Sequence, residues 1–183
     1  GALDYSRQAE EIDVLIDSKP NGIYSNGTAG EFYSQSMDEF VRISEMLSSR
    51  CEAAGVSYQI GVSHPCAQES LARLQAVKHL KPGAVQVILP DWFPVNDEAA
   101  LAFMERMAEE AGDIPLVLYN PPHAKKVIHP SKWQMIKKAV PSLMGVKVFD
   151  NNCSPEWYGL MNANKEGVSV FVPGHHLATG VLN

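Results

Sequence analysis

The chain has 183 residues, of which 45% are hydrophobic and 20% are charged, and its formal net charge is −6. This length and balance suit one globular domain, so we expect residues 1–183 to form a single domain with a sizeable core. The negative charge disfavours a nucleic-acid or anionic-membrane partner, and no apolar run approaches the roughly 18 residues of a membrane span.

Apolar spacing and turn residues predict helices and strands that alternate along the chain. Ile12 and Ile16 recur at helical spacing, and Ser36 followed by Glu39 predicts a capping box. Helices are predicted over 10–18, 36–54, 66–80, 96–112, 129–140 and 154–164. Short β-branched runs, apolar on both faces, predict strands over 21–27, 56–62, 84–90, 114–120, 143–149 and 168–174.

This alternation indicates an α/β protein, for which a doubly wound open sheet and a (β/α)8 TIM barrel are both possible. Nearly every predicted strand runs into a polar or Gly/Pro-rich cluster, such as the segments 27–31 and 119–122. A barrel gathers all such strand ends around one mouth, whereas an open sheet uses mainly one crevice. The strand ends therefore favour the barrel.

Lys147 lies between two valines in the apolar segment 145–149, "GVKVF". An unpaired charge in a buried strand costs several kcal/mol. Lys147 therefore has either a partner or a lowered pKa, and a lowered pKa would leave a nucleophilic amine.

Three motifs at predicted strand ends occur in a fixed order: "GTAGE" at 27–31, "YNPP" at 119–122 and "GVK" at 145–147. With them the sequence resembles the dihydrodipicolinate synthase/N-acetylneuraminate lyase family. Its members are (β/α)8 barrels in which a lysine forms a Schiff base with pyruvate or another 2-oxo acid. By this resemblance the chain covers about strands 2 to 7 and corresponds to a barrel truncated at both ends.

The resemblance implies a role for each motif residue. Lys147 corresponds to the Schiff-base nucleophile, and Tyr119 to a proton relay. Thr28 and the Ala29 amide correspond to a clamp for the substrate carboxylate, in a loop whose glycines let backbone N–H groups approach an anion. Glu31 is expected to satisfy loop amides rather than to act in catalysis.

Three further residues, Asp91, Trp92 and His175, are candidates for substrate binding. Asp91 and Trp92 follow the strand predicted over 84–90, where loop packing is the alternative role for Trp92. His175 follows the strand predicted over 168–174, and its adjacency to a second histidine does not suit a shared metal. No nucleotide-binding or zinc motif occurs, and an iminium supplies its own electron sink, so neither a cofactor nor a metal is expected.

The sequence departs from the synthases at several positions. Ala29 stands where they have a second threonine, and Asp91 and Trp92 stand where they have a tyrosine pair. Ala124 replaces an arginine that binds a dicarboxylate, with His123 beside it. These departures indicate a substrate other than that of the lysine-biosynthesis reaction.

The predicted function is therefore that of a Schiff-base lyase or aldolase acting on pyruvate or a longer 2-oxo acid, for example a 2-keto-3-deoxy sugar acid. The alternatives are a dehydratase on the same scaffold, dihydrodipicolinate synthase proper, or a catalytically silent protein that binds a 2-oxo acid.

The resemblance also implies a homo-oligomer, a dimer or a tetramer. The cysteines Cys51, Cys66 and Cys153 are scattered and form no C-x-x-C motif, which favours a reducing compartment, the cytoplasm.

Overall fold

A parallel β-sheet forms the centre of the computed structural model, which describes residues 3–148, 155–174 and 182. The strands are β1 (Gly22–Ser25), β2 (Ser57–Gly61), β3 (Ala84–Val87), β4 (Leu116–Asn120), β5 (Leu143–Val148) and β6 (Ser169–Phe171). The α-helices are α1 (Tyr5–Asp17), α2 (Met37–Ala54), α3 (Ala67–Val77), α4 (Asp97–Ala111), α5 (Trp133–Ala139) and α6 (Pro155–Asn164). Short 3-10 turns lie at Phe32–Ser34, Lys78–Leu80 and Pro130–Lys132.

The strands follow one another in the sheet in chain order, β1 to β6, and each pairs in parallel with the next. A doubly wound sheet would instead reverse its strand order at a switch point. The sheet is also curled: four strand spacings of a flat sheet would separate β1 from β5 by about 19 Å. The Lys147 ammonium nitrogen on β5 nevertheless lies 4.9 Å from the centre of the Tyr24 ring on β1. The prediction of a partial (β/α)8 barrel is confirmed.

The main hydrophobic core lies between the convex face of this sheet and the helices around it. Every second strand residue faces outward into it, including Ile23, Ile60, Val85, Leu118 and Val146. Helix residues pack against them, including Phe40, Leu47, Leu74, Met104 and Trp133. Each such buried side chain contributes about 1.5–3 kcal/mol relative to exposure, so this layer stabilises the packing of the helices on the sheet.

The helix ends follow local sequence signals. Ser36 and Glu39 form the predicted capping box at the start of α2, and Asn96 caps α4 by accepting a hydrogen bond from the Ala99 amide. The first helix is longer than predicted, because Asp4 caps it at its start. Within the described ranges, no helix is both long enough and apolar enough to cross a bilayer.

The helix predicted over 129–140 differs from the structure at its start. A 3-10 turn, Pro130–Lys132, precedes α5, and His129 caps this turn by accepting a hydrogen bond from the Ser131 amide. Pro130 therefore begins a turn that leads into the helix, as its fixed φ allows.

The loop after β4 is closed by one buried side chain. Asn120 donates from Nδ2 to the Ile128 carbonyl and accepts from the Ile128 amide at Oδ1, both at 2.8 Å. Both residues are buried, so water cannot replace either bond. These two hydrogen bonds fix the end of β4, next to Tyr119.

Replacing Asn120 with alanine should lower the free energy of unfolding by about 2–4 kcal/mol, because it leaves a buried N–H and a buried C=O without partners. Denaturant unfolding of the whole protein measures this change. The matched control Asn21→Ala, at an exposed position, should stay within about 0.5 kcal/mol of the wild type. Equal effects of the two substitutions would contradict the role assigned to the Asn120 hydrogen bonds.

Candidate functional site

Three side chains meet at the carboxyl ends of the strands: Tyr24, Tyr119 and Lys147. Each is the penultimate residue of its strand, β1, β4 and β5 respectively. Tyr119 and Lys147 are paired across β4 and β5, and the Lys147 nitrogen lies 4.4 Å from the centre of the Tyr119 ring. The structure thus brings together the two residues that the sequence predicted as nucleophile and relay, and it adds Tyr24.

The Lys147 amine is desolvated and has no ion-pair partner among the described residues. The residue is half-buried, and burial lowers the pKa of the amine below its ordinary value of about 10.4. Within the described part of the chain it forms no ion pair and donates no hydrogen bond. Its close neighbours are instead the faces of two aromatic rings. A larger fraction of the amine is therefore unprotonated near neutral pH than in a free lysine.

The two phenols beside the amine are held in their protonated form. Burial raises the pKa of Tyr24, the nearby Tyr119 phenol raises it further, and a hydrogen bond from Gln86 opposes the shift. Burial also raises the pKa of Tyr119, and a side-chain hydrogen bond with Thr28 opposes that shift. Both phenols therefore carry a proton at neutral pH, which a general acid requires.

A cavity of about 780 Å³ opens beside these residues. Its size lies within the usual range of small-molecule sites, about 300–1,000 Å³. It is lined by Tyr24, Gly27, Thr28, Ala29, Tyr119, Pro122, His123, Lys147 and Pro173. Four of the predicted site residues, Thr28, Ala29, Tyr119 and Lys147, thus share one cavity.

A second cavity of about 550 Å³ lies inside the curl of the sheet. It extends toward the amino ends of the strands, where Gly22, Ser57 and Ala84 line it, and it shares Tyr24 and Lys147 with the first cavity. These two side chains therefore form the boundary between the mouth of the barrel and its interior.

The backbone amides of the loop that follows β1 are only partly used within the loop. The Gly30 and Glu31 amides donate to the carbonyls of Gly27 and Thr28, at 3.0 and 3.1 Å. The Thr28 and Ala29 amides donate to no protein group among the described residues. The expectation that the Glu31 carboxylate satisfies loop amides is wrong: loop carbonyls satisfy the Gly30 and Glu31 amides, and the Glu31 side chain is exposed.

Buried polar side chains fix this loop on both sides. Asn26, with a positive φ of 56°, donates from Nδ2 to Ser44 on α2 at 3.1 Å. Arg73 is 3% exposed and reaches across from α3. Its guanidinium donates to the carbonyls of Phe32, Ser63 and Gln35 at 3.0, 2.8 and 3.1 Å.

Asp91 and Trp92 lie outside the lining of the mouth cavity. Asp91 accepts a hydrogen bond from the Lys125 amide at 2.8 Å, and the Trp92 carbonyl accepts one from the Lys125 ammonium at 2.8 Å. The Trp92 ring is 84% exposed, and the same ammonium lies 5.7 Å from its centre. Both residues thus join the loop after β3 to the loop after β4. His175 lies outside the described residues.

The concave face of the sheet is more polar than predicted. The strands were expected to be apolar on both faces, but Tyr24, Gln59 and Gln86 face inward and are linked by hydrogen bonds. The sequence analysis did not predict Tyr24 as a site residue. Its position could have indicated it, because Tyr24 occupies the same place in its strand as Tyr119 and Lys147 do in theirs.

Residues 1–166 match the sequence profile of the Dihydrodipicolinate synthetase family. The 4-hydroxy-tetrahydrodipicolinate synthase of Methanococcus aeolicus is 30% identical over 164 residues, which are 84% of this chain and 56% of that protein. The N-acetylneuraminate lyase of Gallus gallus is 27% identical over 158 residues, 83% of this chain and 51% of that protein. The chain thus spans about half the length of these curated relatives.

Solved structures share the fold. A prophage protein of the dihydrodipicolinic acid synthase family from E. coli K12, in complex with pyruvate, superposes with a TM-score of 0.90 at 22% identity, covering 100% of this chain and 62% of that one. The N-acetylneuraminate lyase of Mycoplasma synoviae gives a TM-score of 0.85 at 18% identity, covering 100% and 61%. With its sequence profile matched over residues 1–166, the chain belongs to the dihydrodipicolinate synthetase family.

Proposed function

We propose that the protein is a carbon–carbon lyase or aldolase that forms a Schiff base between Lys147 and pyruvate or a longer 2-oxo acid. One observation carries the proposal: the Lys147 amine is desolvated, has no ion-pair partner within the described residues, and lies 4.4 Å from the centre of the Tyr119 ring. Membership of a family whose relatives include a synthase and a lyase supports it.

The first step joins the amine to the substrate. The lone pair of the Lys147 nitrogen attacks the C2 carbonyl carbon, and the carbonyl oxygen takes up a proton to give a carbinolamine. The nitrogen, which carries an extra proton after the attack, passes that proton to the hydroxyl. The hydroxyl leaves as water while the nitrogen lone pair forms the C=N bond, and the product is an iminium with one N–H. Tyr119, whose ring lies beside the amine, is the proposed donor of the proton that the carbonyl oxygen needs.

The second step breaks a carbon–carbon bond. In a 4-hydroxy substrate the C4 hydroxyl loses its proton and becomes an aldehyde, while the C3–C4 electron pair moves into the iminium and forms an enamine. Tyr119, having given up its proton, accepts the one from this hydroxyl. Protonation of the enamine at C3, followed by addition of water at C2, releases pyruvate and the free amine.

The loop after β1 is the proposed binding site of the substrate carboxylate. The Thr28 and Ala29 amides there have no protein acceptor among the described residues, and Thr28 and Ala29 both line the mouth cavity. Amides that already point toward an anion need no reorganisation when it binds. These two residues form the proposed clamp, and the iminium chemistry calls for no cofactor.

Three inferences from the sequence stay predictions. They are the single domain over residues 1–183, the cytoplasmic location, and the homo-oligomer implied by the family resemblance. A contact of Asp91, Trp92 or His175 with substrate also stays a prediction.

Incubation of the whole protein with pyruvate and borohydride should add a reduced adduct to the peptide that contains Lys147. Only the unprotonated amine attacks, so the initial rate of trapping should rise with pH and reach its midpoint below the ordinary lysine value of about 10.4. Lys147→Ala and Lys147→Arg should abolish trapping, since a guanidinium stays protonated. Peptide mass spectrometry reads the site, and the exposed control Lys138→Ala should trap normally. An adduct on another lysine would refute the assignment.

Tyr119→Phe should slow turnover of a cleavable 2-oxo acid by about 10²-fold or more, because the substituted ring cannot carry a proton. Pyruvate trapping on Lys147 should persist, since the ring still packs beside the amine. Steady-state kinetics with parallel trapping separates these effects. Turnover within a few-fold of the wild type would exclude Tyr119 as the relay.

The whole protein should show little or no condensation of pyruvate with aspartate semialdehyde. Compared with the synthases, the chain has Ala29 in place of a second threonine and Ala124 in place of the dicarboxylate-binding arginine. Trp92, at the position of one of their two tyrosines, points into solvent. A coupled assay measures this activity, with an authentic synthase as the positive control. A rate comparable to that of the synthase would make dihydrodipicolinate synthase the function.

A further inference from the structure

We propose that Tyr24 belongs to the reacting site: its ring face, together with that of Tyr119, stabilises the cationic nitrogen that Lys147 forms with a 2-oxo acid. This inference rests on the proposed Schiff-base function and extends it to a residue outside the three motifs of the sequence.

The first support is the position of the amine between two rings. The Lys147 nitrogen lies 4.9 Å from the centre of the Tyr24 ring and 4.4 Å from that of Tyr119. Both distances are within the roughly 6 Å over which a ring quadrupole attracts a cation. The rings come from strands β1 and β4, so the curl of the sheet is what brings both to the amine.

The second support is that the Tyr24 ring is held by its hydroxyl. Gln86, which is 1% exposed, donates from Nε2 to the Tyr24 phenol oxygen. The Gln86 Oε1 atom in turn accepts from Gln59 Nε2 at 3.4 Å. Both ends of the buried amide are thus used, and Gln86 acts as a positioning residue for the ring.

The third support is the space left for this ring by two glycines. A Cβ atom on Gly27 would lie 2.7 Å from Tyr24 Cε1, too close for any side chain there. A Cβ atom on Gly61 would lie 3.1 Å from the Tyr24 phenol oxygen and 2.6 Å from the Asn26 carbonyl oxygen. The backbone at these glycines therefore fits closely around the ring and keeps it against Lys147.

The charge balance at the nitrogen predicts how pH modulates this effect. Formation of the iminium consumes the amine, the carbonyl group and one proton, and it releases water. At a pH above the midpoint of the Lys147 titration, a neutral amine therefore becomes a cation. Below that midpoint an ammonium becomes an iminium, one cation replacing another. Loss of a ring face should therefore lower iminium occupancy mainly at high pH. Among the residues that the structure describes, the titratable side chains that face the amine are the Tyr24 and Tyr119 phenols, and His123 lines the same cavity.

The test compares Tyr24→Leu with Tyr24→Phe in the whole protein, using the mass fraction of adduct after a borohydride quench at subsaturating pyruvate, from about pH 6 to about pH 10. Leucine keeps an apolar side chain but removes the ring face, so occupancy should fall by about fivefold at high pH and by less than about twofold at low pH. Phenylalanine keeps the face and should stay within about threefold of the wild type throughout. Gln86→Leu should give an intermediate loss, also at high pH.

A control on the same concave face is Phe171→Leu. The Phe171 ring packs over Gly145, where a Cβ atom would lie 2.5 Å from Phe171 Cε2, and the substitution should leave the pH profile in place. An equal fall at every pH in Tyr24→Leu would mean a structural role and overturn the proposal. Equal losses in Tyr24→Phe and Tyr24→Leu would assign the effect to the hydroxyl and also overturn it. Absence of any Lys147 adduct in the wild type would instead refute the proposed function itself.

Discussion

An amine at a desolvated strand end has lost water that would stabilise its charged form. The protein group that lies beside it instead decides whether the amine can act as a nucleophile. A carboxylate about 4 Å away would stabilise the ammonium by about 4 kcal/mol at an effective dielectric of 20 and would hold it protonated. A ring face contributes only about 0.5–2 kcal/mol. Lys147 has two ring faces and no carboxylate among the described residues, so desolvation prevails and lowers the pKa of its amine.

This arrangement depends on the curvature of the sheet. Tyr119 would reach Lys147 in any parallel sheet of this order, because the two residues are paired across β4 and β5. Tyr24 lies on β1, four strands from β5, and reaches the amine only because the sheet curls. A layer of aliphatic and aromatic side chains, from Ile23 to Trp133, packs against the convex side of that curl. The core packing and the chemistry of the site are therefore coupled through sheet geometry.

The sequence predicted most of the fold because its signals are local: the capping box of α2, the β-branched strands and the clusters at their ends. Lys147, Tyr119, Thr28 and Ala29 were likewise predicted, from motifs, and share one cavity. Tyr24 was missed because its role depends on a contact across the barrel, which no sequence period encodes. Asp91 and Trp92 were assigned by loop position, but their contacts with Lys125 arise from the packing of two loops, which strand order alone does not determine.

The same surroundings act differently on the two cations that Lys147 can form. An ammonium has three N–H donors and a compact charge, so it loses much hydration when buried. An iminium has one N–H donor and a charge shared with carbon, so burial penalises it less. Ring faces attract both cations, whereas desolvation acts mainly against the ammonium. A site of rings without a carboxylate therefore favours the free amine before attack and the iminium after it, which is the order that Schiff-base chemistry requires.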